Sequence, residues 1–350
     1  MKPARAVEIS KRGFPLIGRY VFPKNPKKPL WVNCMLTWRC NARCMMCGIW
    51  RKKDVSQAEE LTLEEYRTLF SSPLLKNVKH INFAGGEPFL RKDLEVIITS
   101  IPKHISVGFP SNGLELDIPK RVRSIVKIRP LGLSISLDAC DETHDELRGV
   151  RDAGLQAKKN IMELVSLREE GLPLDLSVSV TYMEKNRKKV REVLEYCKKL
   201  DVGISIRCVQ NIPYLENLKL KNLAAKDIEE LRDVEKRLSL FQQFLVEENI
   251  RYFFGSAHAC HWGSASLSIN PYGDVFPCHG TLDQNEFSLG NIKTIDIESI
   301  WKSERRKDVL LKINDECSKS CWVDCEVQYG LEYVNPRPFF HWLLKRSIGR

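Results

Sequence analysis

The sequence predicts an α/β chain built on parallel strands, followed by a smaller α+β unit. Three observations carry that expectation. From residue 31 to about 210, six short apolar runs alternate with amphipathic segments. Strand–helix repeats with short links imply parallel strands and right-handed crossovers. Eight of the twelve cysteines fall into two groups. Past residue 250 the alternation gives way to a hairpin pattern, a helix and a cysteine-rich segment. An open doubly wound sheet and a barrel of six units both satisfy the repeats.

The expected strands are 30–36 (LWVNCML), 80–84 (HINFA), 105–109 (ISVGF), 132–138 (GLSISLD), 174–182 (LDLSVSVTY) and 203–209 (GISIRCV). Thr62 with Glu65 three residues on has the form of a capping box, which starts a helix before YRTLF. Segments 91–100, 118–127, 155–170 and 186–200 carry apolar residues at helical spacing. Residues 225–248 read as one long amphipathic helix. SLSINPYGDVFPC reads as a hairpin turning at Pro271-Tyr272-Gly273-Asp274, and a helix follows in IESIWKSERRKDVLLKI. The expected organisation is a basic extension (1–30), the repeat domain (31–215), a bridging helix (216–250), a small cysteine-bearing domain (251–335) and a basic amphipathic tail (336–350).

The composition, 43% hydrophobic and 29% charged, excludes a disordered chain. No run reaches the ~18 apolar residues of a membrane span. The first thirty residues are basic and broken by proline, with no apolar middle of a secretory signal, so a cytoplasmic location is expected. The net charge of +10 sits in the two ends, which leaves the body near neutral and gives no nucleic-acid groove. The C-terminal end mixes Phe339, Phe340, Trp342 and Leu343 with Lys345, Arg346 and Arg350. Two expectations follow: a peripheral contact with the inner face of a membrane, or tails packed on the body with their charges solvated.

In a chain without a signal, clustered cysteines point to metal or chemistry rather than disulfides. Strand one leads into Thr37-Trp38-Arg39-Cys40-Asn41-Ala42-Arg43-Cys44-Met45-Met46-Cys47. Loops at the carboxyl ends of parallel strands are where ligands collect. Three thiolates spaced C-x3-C-x2-C hold three corners of a cubane and leave the fourth iron open. Zinc asks for a fourth ligand, which this loop lacks.

At these residues, with Trp50 following, the sequence resembles the radical S-adenosylmethionine (radical SAM) superfamily. The resemblance implies a partial (β/α)6 TIM-like barrel and settles the choice between the two architectures. It also implies a [4Fe–4S] cluster on Cys40, Cys44 and Cys47 whose open iron binds SAM, reductive cleavage to a 5′-deoxyadenosyl radical, and hydrogen abstraction from a substrate. Further stretches agree. Gly85-Gly86-Glu87-Pro88 is similar to the GGEP element that holds the SAM amine, with two glycines for close approach and a carboxylate to complement an ammonium. Ser111-Asn112-Gly113 is similar to the segment beside the nucleoside. Ser136 and Asp138, with His144-Asp145-Glu146-Leu147-Arg148-Gly149, resemble the S-x-D and HD-x-x-RG stretch, in which Ser136 and Arg148 contact SAM. Asn186 stands either as a SAM-side residue or as a helix N-cap.

Cys260 and Cys278 flank the hairpin as C-x12-G-x4-C, and Cys317-x3-Cys321-x3-Cys325 follows. This set resembles the SPASM/twitch extension of radical SAM enzymes, which implies an auxiliary [4Fe–4S] cluster. Five cysteines suffice for one four-ligand cluster and not for two. Cys260, Cys278, Cys321 and Cys325 are the expected ligands and Cys317 the doubtful member, since helical spacing puts Cys317, Cys321 and Cys325 on one face and any two of them could serve; structural zinc is the competing occupant. Cys34 and Cys197 are expected in the core. Cys140, just past strand four, is a candidate hydrogen donor facing the lumen. Arg207, Cys208 and Gln210, at the end of strand six, are candidates to meet the substrate. His258, His261 and His279 border cluster cysteines without ligating.

The expected function is therefore a net oxidation of a small molecule, sugar or lipid, with the auxiliary cluster as electron acceptor and a flavodoxin or ferredoxin as donor. A peptide-modifying enzyme is the alternative. The thirty residues before the barrel are fewer than the recognition domain many such enzymes carry, which favours the smaller substrates. A non-catalytic iron–sulfur or zinc sensor is the reading from a different class, and the SAM-cradle elements speak against it.

Overall fold

The computed structural model describes residues 28–52, 59–209, 212–217, 223–253, 263, 265–316 and 337–348. Six strands, β1 (Trp31–Thr37), β2 (His80–Gly85), β3 (Ser106–Ser111), β4 (Leu131–Ser136), β5 (Leu174–Tyr182) and β6 (Gly203–Cys208), lie parallel in sequence order. Helices α1 (Leu63–Ser71), α2 (Leu94–Ser100), α3 (Ile118–Val126), α4 (Thr143–Arg148), α5 (Ala153–Glu169) and α6 (Val190–Lys199) fall between them. The capping box holds: Thr62 N donates to Glu65 Oε2 (2.7 Å) and Glu65 N to Thr62 Oγ1 (3.3 Å).

One face of each strand feeds the core. Val32, Ile81, Phe83, Val107, Leu133, Val178 and Ile206 pack with Ile97, Val122, Ile125, Leu164 and Val193 of the helices. The opposite face is polar. β5 alternates buried Leu174, Leu176, Val178 and Val180 with partly exposed Ser177, Ser179 and Thr181. Parallel strands covered on both faces read as unbroken apolar runs, so this alternation marks a lumen that stays wet.

The C-terminal hairpin does not form a sheet of its own. β7 (Ser266–Ile269) pairs in parallel with β1, Trp31 opposite Ser266 and Cys34 opposite Ile269. β8 (Asp274–Phe276) and β9 (Gly290–Asn291) continue antiparallel, giving one nine-stranded sheet in the order β6-β5-β4-β3-β2-β1-β7-β8-β9. The turn falls where expected, with Gly273 at φ +94°.

The single helix expected over 225–248 is two helices, α7 (Ala225–Glu235) and α8 (Leu240–Phe253). Ser239 causes the break: its hydroxyl accepts from Gln242 N (3.4 Å) and its carbonyl from Gln243 N (2.9 Å), which starts a second helix. Helices α9 (Ile297–Lys302) and α10 (Glu304–Glu316) follow the hairpin, and α11 (Arg337–Ile348) closes the described chain. The aromatic residues of α11 turn inward onto α8. Phe339 meets Phe241 and Phe244 at ring-centroid distances of 5.3 and 5.4 Å, and Trp342 Nε1 donates to Glu247 (2.7 Å). That is the packed-tail arrangement for the C-terminal end. No helix among the described residues is long and apolar enough to cross a membrane.

Candidate active site

The three N-terminal cysteines sit on the loop that leaves β1. The loop is bonded to the last turn of α4, Arg43 N to Arg148 O and Met45 N to Leu147 O, both at 2.8 Å. Gly149 makes that approach possible. Its φ is +63° and a Cβ there would lie 2.5 Å from Arg43 O. Cys44 is thereby buried in a cushion of Ala42, Met46, Leu147 and Met183, while Cys40 and Cys47 stay partly exposed. Two donors point at sulfur: Arg148 Nη1 lies 3.9 Å from Cys44 Sγ and Asn112 Nδ2 3.8 Å from Cys40 Sγ.

Burial pushes the Cys40 thiol up to about 11 and the Cys47 thiol up to about 12, so cationic iron is needed to ionise them. Among the described residues no three His, Cys, Asp or Glu side chains converge on one metal ion. A cubane needs no such convergence, because each thiolate takes its own iron. Three soft sulfurs with N–H donors aimed at two of them therefore fit a [4Fe–4S] cluster.

The glycine pair clamps the root of this loop. Gly86 N donates to Thr37 O (2.7 Å) and Glu87 N to Arg39 O (2.9 Å). Both glycines are half-buried and offer backbone to a ligand. Glu87 does not offer its carboxylate. It is fully buried, and it accepts from Phe89 N (3.1 Å), Ser111 Oγ (3.0 Å) and Asn112 N (2.7 Å). A side chain with no accessible surface in a ligand-free protein has nothing for a ligand to touch. The expected carboxylate–ammonium contact is thus corrected: Glu87 is a positioning residue that ties β2 to the end of β3. Burial raises its carboxyl to about 7 against the pull of those three donors. Pro88 is buried in the short turn that follows. Asn112 passes the constraint on, its amide donating to Asn41 Oδ1 (2.7 Å) inside the cysteine loop.

Asp138 is fully buried as well, so it also supports rather than touches SAM. Its carboxylate accepts from Arg148 Nε (2.7 Å) and Thr181 N (2.8 Å). Burial opposes the charge on Arg148, but Asp138 and Cys44 outweigh it and hold the guanidinium above its ordinary value. His144 Nδ1 accepts from Asp138 N (2.9 Å), and burial pushes the imidazole down to about 4, so it is neutral. Ser136 lies on the lumen face, 8% exposed. Asn186 is not an N-cap. Its amide spans Asp138 O and Thr181 O, both at 3.0 Å, and its carbonyl accepts from Met183 N; it staples β4 to the end of β5. Cys140 does not face the lumen. Its neighbours are Lys158 of α5 and Tyr196 and Cys197 of α6, outside the sheet, so the structure withdraws it as a hydrogen donor. Cys34 and Cys197 are in the core, as is Cys208.

The polar lumen went unread in the sequence. Ser136 registers with Ser179 and Ser179 with Ser205; Ser134 registers with Ser177; Asn33 registers with both Asn82 and Ser268. The period-two serines of SISLD, LDLSVSV and GISIR were the available signal. Arg91 was also unread. Its guanidinium donates to Leu36 O and Leu61 O and pairs with Glu60 and Asp93, which fixes the end of β1 beneath the cysteine loop. Over the mouth, residues 212–217 are strapped to the loop by Gly48 N to Leu215 O (2.5 Å) and Asn217 Nδ2 to Met46 O (2.8 Å). Tyr214 there sits between Trp38 and His279, with ring centroids 6.3 and 5.2 Å away.

Of the C-terminal cysteines only Cys278 lies within the described residues, buried beside Thr281 (Sγ to Oγ1 3.6 Å). Cys260, Cys317, Cys321 and Cys325 lie outside them, as do Gln210, His258 and His261. Burial, with the nearby Arg207 charge, pushes His279 down to about 4.

Comparison with known proteins matches the family model of the radical SAM superfamily over residues 35–224 and that of an iron–sulfur cluster-binding domain, SPASM, over residues 260–326. A GTP 3′,8-cyclase of Bradyrhizobium diazoefficiens is 30% identical over 163 residues, 41% of this chain and 47% of the cyclase, so the match spans about half of that relative. Among solved structures, Streptococcus suis SuiB bound to S-adenosylmethionine superposes with a TM-score of 0.60 at 15% identity, over 86% of this chain and 71% of SuiB. The structure of anSMEcpe with bound AdoMet superposes with a TM-score of 0.61 at 16% identity, over 92% of this chain and 98% of anSMEcpe. Those likenesses establish the fold, a partial (β/α)6 barrel with a C-terminal SPASM-type unit. Its cofactors are SAM and [4Fe–4S] clusters, and the chain belongs to the radical SAM superfamily of enzymes, with a SPASM iron–sulfur cluster-binding domain at its C-terminal end.

Proposed function

We propose that this radical SAM enzyme takes a hydrogen atom from a polar small molecule held in the barrel lumen, in a net oxidation for which the auxiliary cluster is the electron acceptor. The hydroxyl-lined lumen carries the reading. Ser134, Ser136, Ser177, Ser179 and Ser205 lie in matched rows on three adjacent strands. Such a surface suits a sugar-like molecule and disfavours an acyl chain, whose burial there would desolvate hydroxyls without replacing their hydrogen bonds. Cys40, Cys44 and Cys47 would hold a [4Fe–4S] cluster, which would supply a binding site for SAM and the electron that breaks its sulfonium bond. The chain's own residues do the positioning. Gly85 and Gly86 present backbone beside the cysteine loop, Arg148 sets positive charge against Cys44, and residues 212–217 brace the loop at Gly48 and Met46.

A second reading, modification of a peptide, draws on the titles of two fold neighbours: SuiB bound to precursor peptide SuiA, and anSMEcpe with bound AdoMet and Kp18Cys peptide. This chain covers 98% of anSMEcpe, whose structure holds AdoMet and a peptide together. The test is anaerobic turnover with dithionite, SAM and fractionated metabolites, followed by mass spectrometry. A product two hydrogens lighter, formed with one 5′-deoxyadenosine each, is expected. Products isomeric with the substrate, or turnover only with peptide fractions, would overturn the first reading.

A further inference from the structure

We propose that Arg207 anchors an anionic group, a carboxylate or a phosphate, on the substrate. The proposal rests on the lumen being the substrate site. Arg207 is the next-to-last residue of β6 and registers with Thr181 of β5. Its neighbours Ile206 and Cys208 are in the core on the helix side, so by strand alternation Arg207 faces the lumen. It is partly buried, and among the described residues it has no hydrogen bond or ion pair. Four other arginines of the barrel have partners. Arg91 and Arg148 pair with buried carboxylates, Arg121 binds Glu95, and Arg129 donates to the carbonyls of Ile98 and Ile101.

No carboxylate of this chain answers Arg207 from the adjoining strands. The lumen positions of β4, β5 and β6 around it are Ser136, Ser179, Thr181 and Ser205, and Asp138 is committed to Arg148 and Thr181 N. His279, within electrostatic reach, is an imidazole and brings no negative charge. A half-desolvated guanidinium without a counter-ion is costly unless a ligand completes it. Its planar fork suits the two oxygens of a carboxylate or phosphate. Two residues along the strand, roughly 7 Å away, lies the Ser179–Ser205 pair. The site therefore fits a compact hydroxylated anion, its charge at Arg207 near His279 and its hydroxyls at the Ser179–Ser205 pair.

Arginine-selective labelling tests this on the reconstituted holoenzyme with SAM bound. Phenylglyoxal adducts at Arg207 are followed by peptide mass spectrometry, with and without glycerol, glycerate or glycerol 3-phosphate. Arg207 is expected to react and to be protected by one of the anions but not by glycerol; which anion protects separates carboxylate from phosphate. Titration of the protecting anion should show a loss of roughly ten- to a hundredfold in affinity for Arg207→Gln, with a smaller loss for Arg207→Lys. An Arg207 that does not react while exposed Arg43 and Arg51 do, or that reacts equally with every additive, overturns the proposal. Formation of 5′-deoxyadenosine by the same wild-type preparation keeps the two ideas apart. If it forms and no anion protects, only the anchor fails; if it does not form and an anion protects, only the proposed reaction fails.

Discussion

Replacing Gly86 by alanine should empty the N-terminal cluster site without unfolding the barrel. An added Cβ would lie 2.0 Å from Arg39 O, 2.6 Å from Arg39 C and 2.9 Å from Trp38 O, all backbone atoms that no side-chain rotation can clear. Arg39 is the residue before Cys40, so relief of about 1 Å must come from the root of the cysteine loop. Two backbone hydrogen bonds are lost in the process, Gly86 N to Thr37 O and Glu87 N to Arg39 O. At about 1 kcal/mol each, with about 1–3 kcal/mol for overpacking, the penalty is about 3–5 kcal/mol, localised at the cluster. The assay is anaerobic reconstitution with iron and sulfide analysis, alongside far-ultraviolet circular dichroism. Gly86→Ala should lose about half its iron and keep its secondary structure. Gly171→Ala is the control. It has φ +82° but nothing within 4 Å of the new Cβ, so it should lose about 1 kcal/mol of stability and no iron. A Gly86→Ala protein with full iron and wild-type SAM cleavage would refute the clamp.

Asp138→Asn strands the buried Arg148 guanidinium and should cost about 3–5 kcal/mol in urea unfolding. Adding Arg148→Met should recover part of that loss, and a double variant no better than the single one would contradict the pairing. Burial and the adjacent Glu247 push the Glu235 carboxyl from its ordinary 4.5 up to about 7. The folded chain then binds the extra proton between those values, so wild-type stability should fall as pH rises through that window and level off above it. Glu235→Gln should remove the fall and be more stable than wild type at pH 8 by on the order of 1 kcal/mol; parallel thermal-melt profiles for the two proteins would count against it. Trp342→Ala removes a side chain 7% exposed and its bond to Glu247. It should cost roughly 3–5 kcal/mol of the docking of α11 on α8 and open Lys345 and Arg346 to limited trypsin; an unchanged digest would show that the helix is not held there.

The six strands and the cysteine loop were legible because their signals are local: an apolar run, a spacing of three thiols, a cap. The sheet's extension through β7 was not. Its partner β1 lies more than two hundred residues earlier, and four residues of SLSI carry no register information. The break at Ser239 was masked because Leu238, itself buried, keeps the apolar period running. The motif residues cluster in space around the cysteine loop, yet how their polar atoms divide the work was not legible. Glu87, Asp138 and Asn186 spend their polar atoms on neighbouring strands, and only burial reveals that a ligand cannot reach them. Cys140 was misread for a similar reason, since a residue past a strand end has no fixed parity. The lumen hydroxyls have a period of two that is readable within the segments taken as short apolar runs.

Iron and acid-labile sulfide per chain, measured on protein reconstituted without oxygen, test the central claim most directly. The account predicts about eight irons in the wild type and about four after Cys40, Cys44 and Cys47 are changed to Ala. About four irons in the wild type, unchanged by the triple substitution, would contradict a cluster at the loop after β1 and the chemistry built on it.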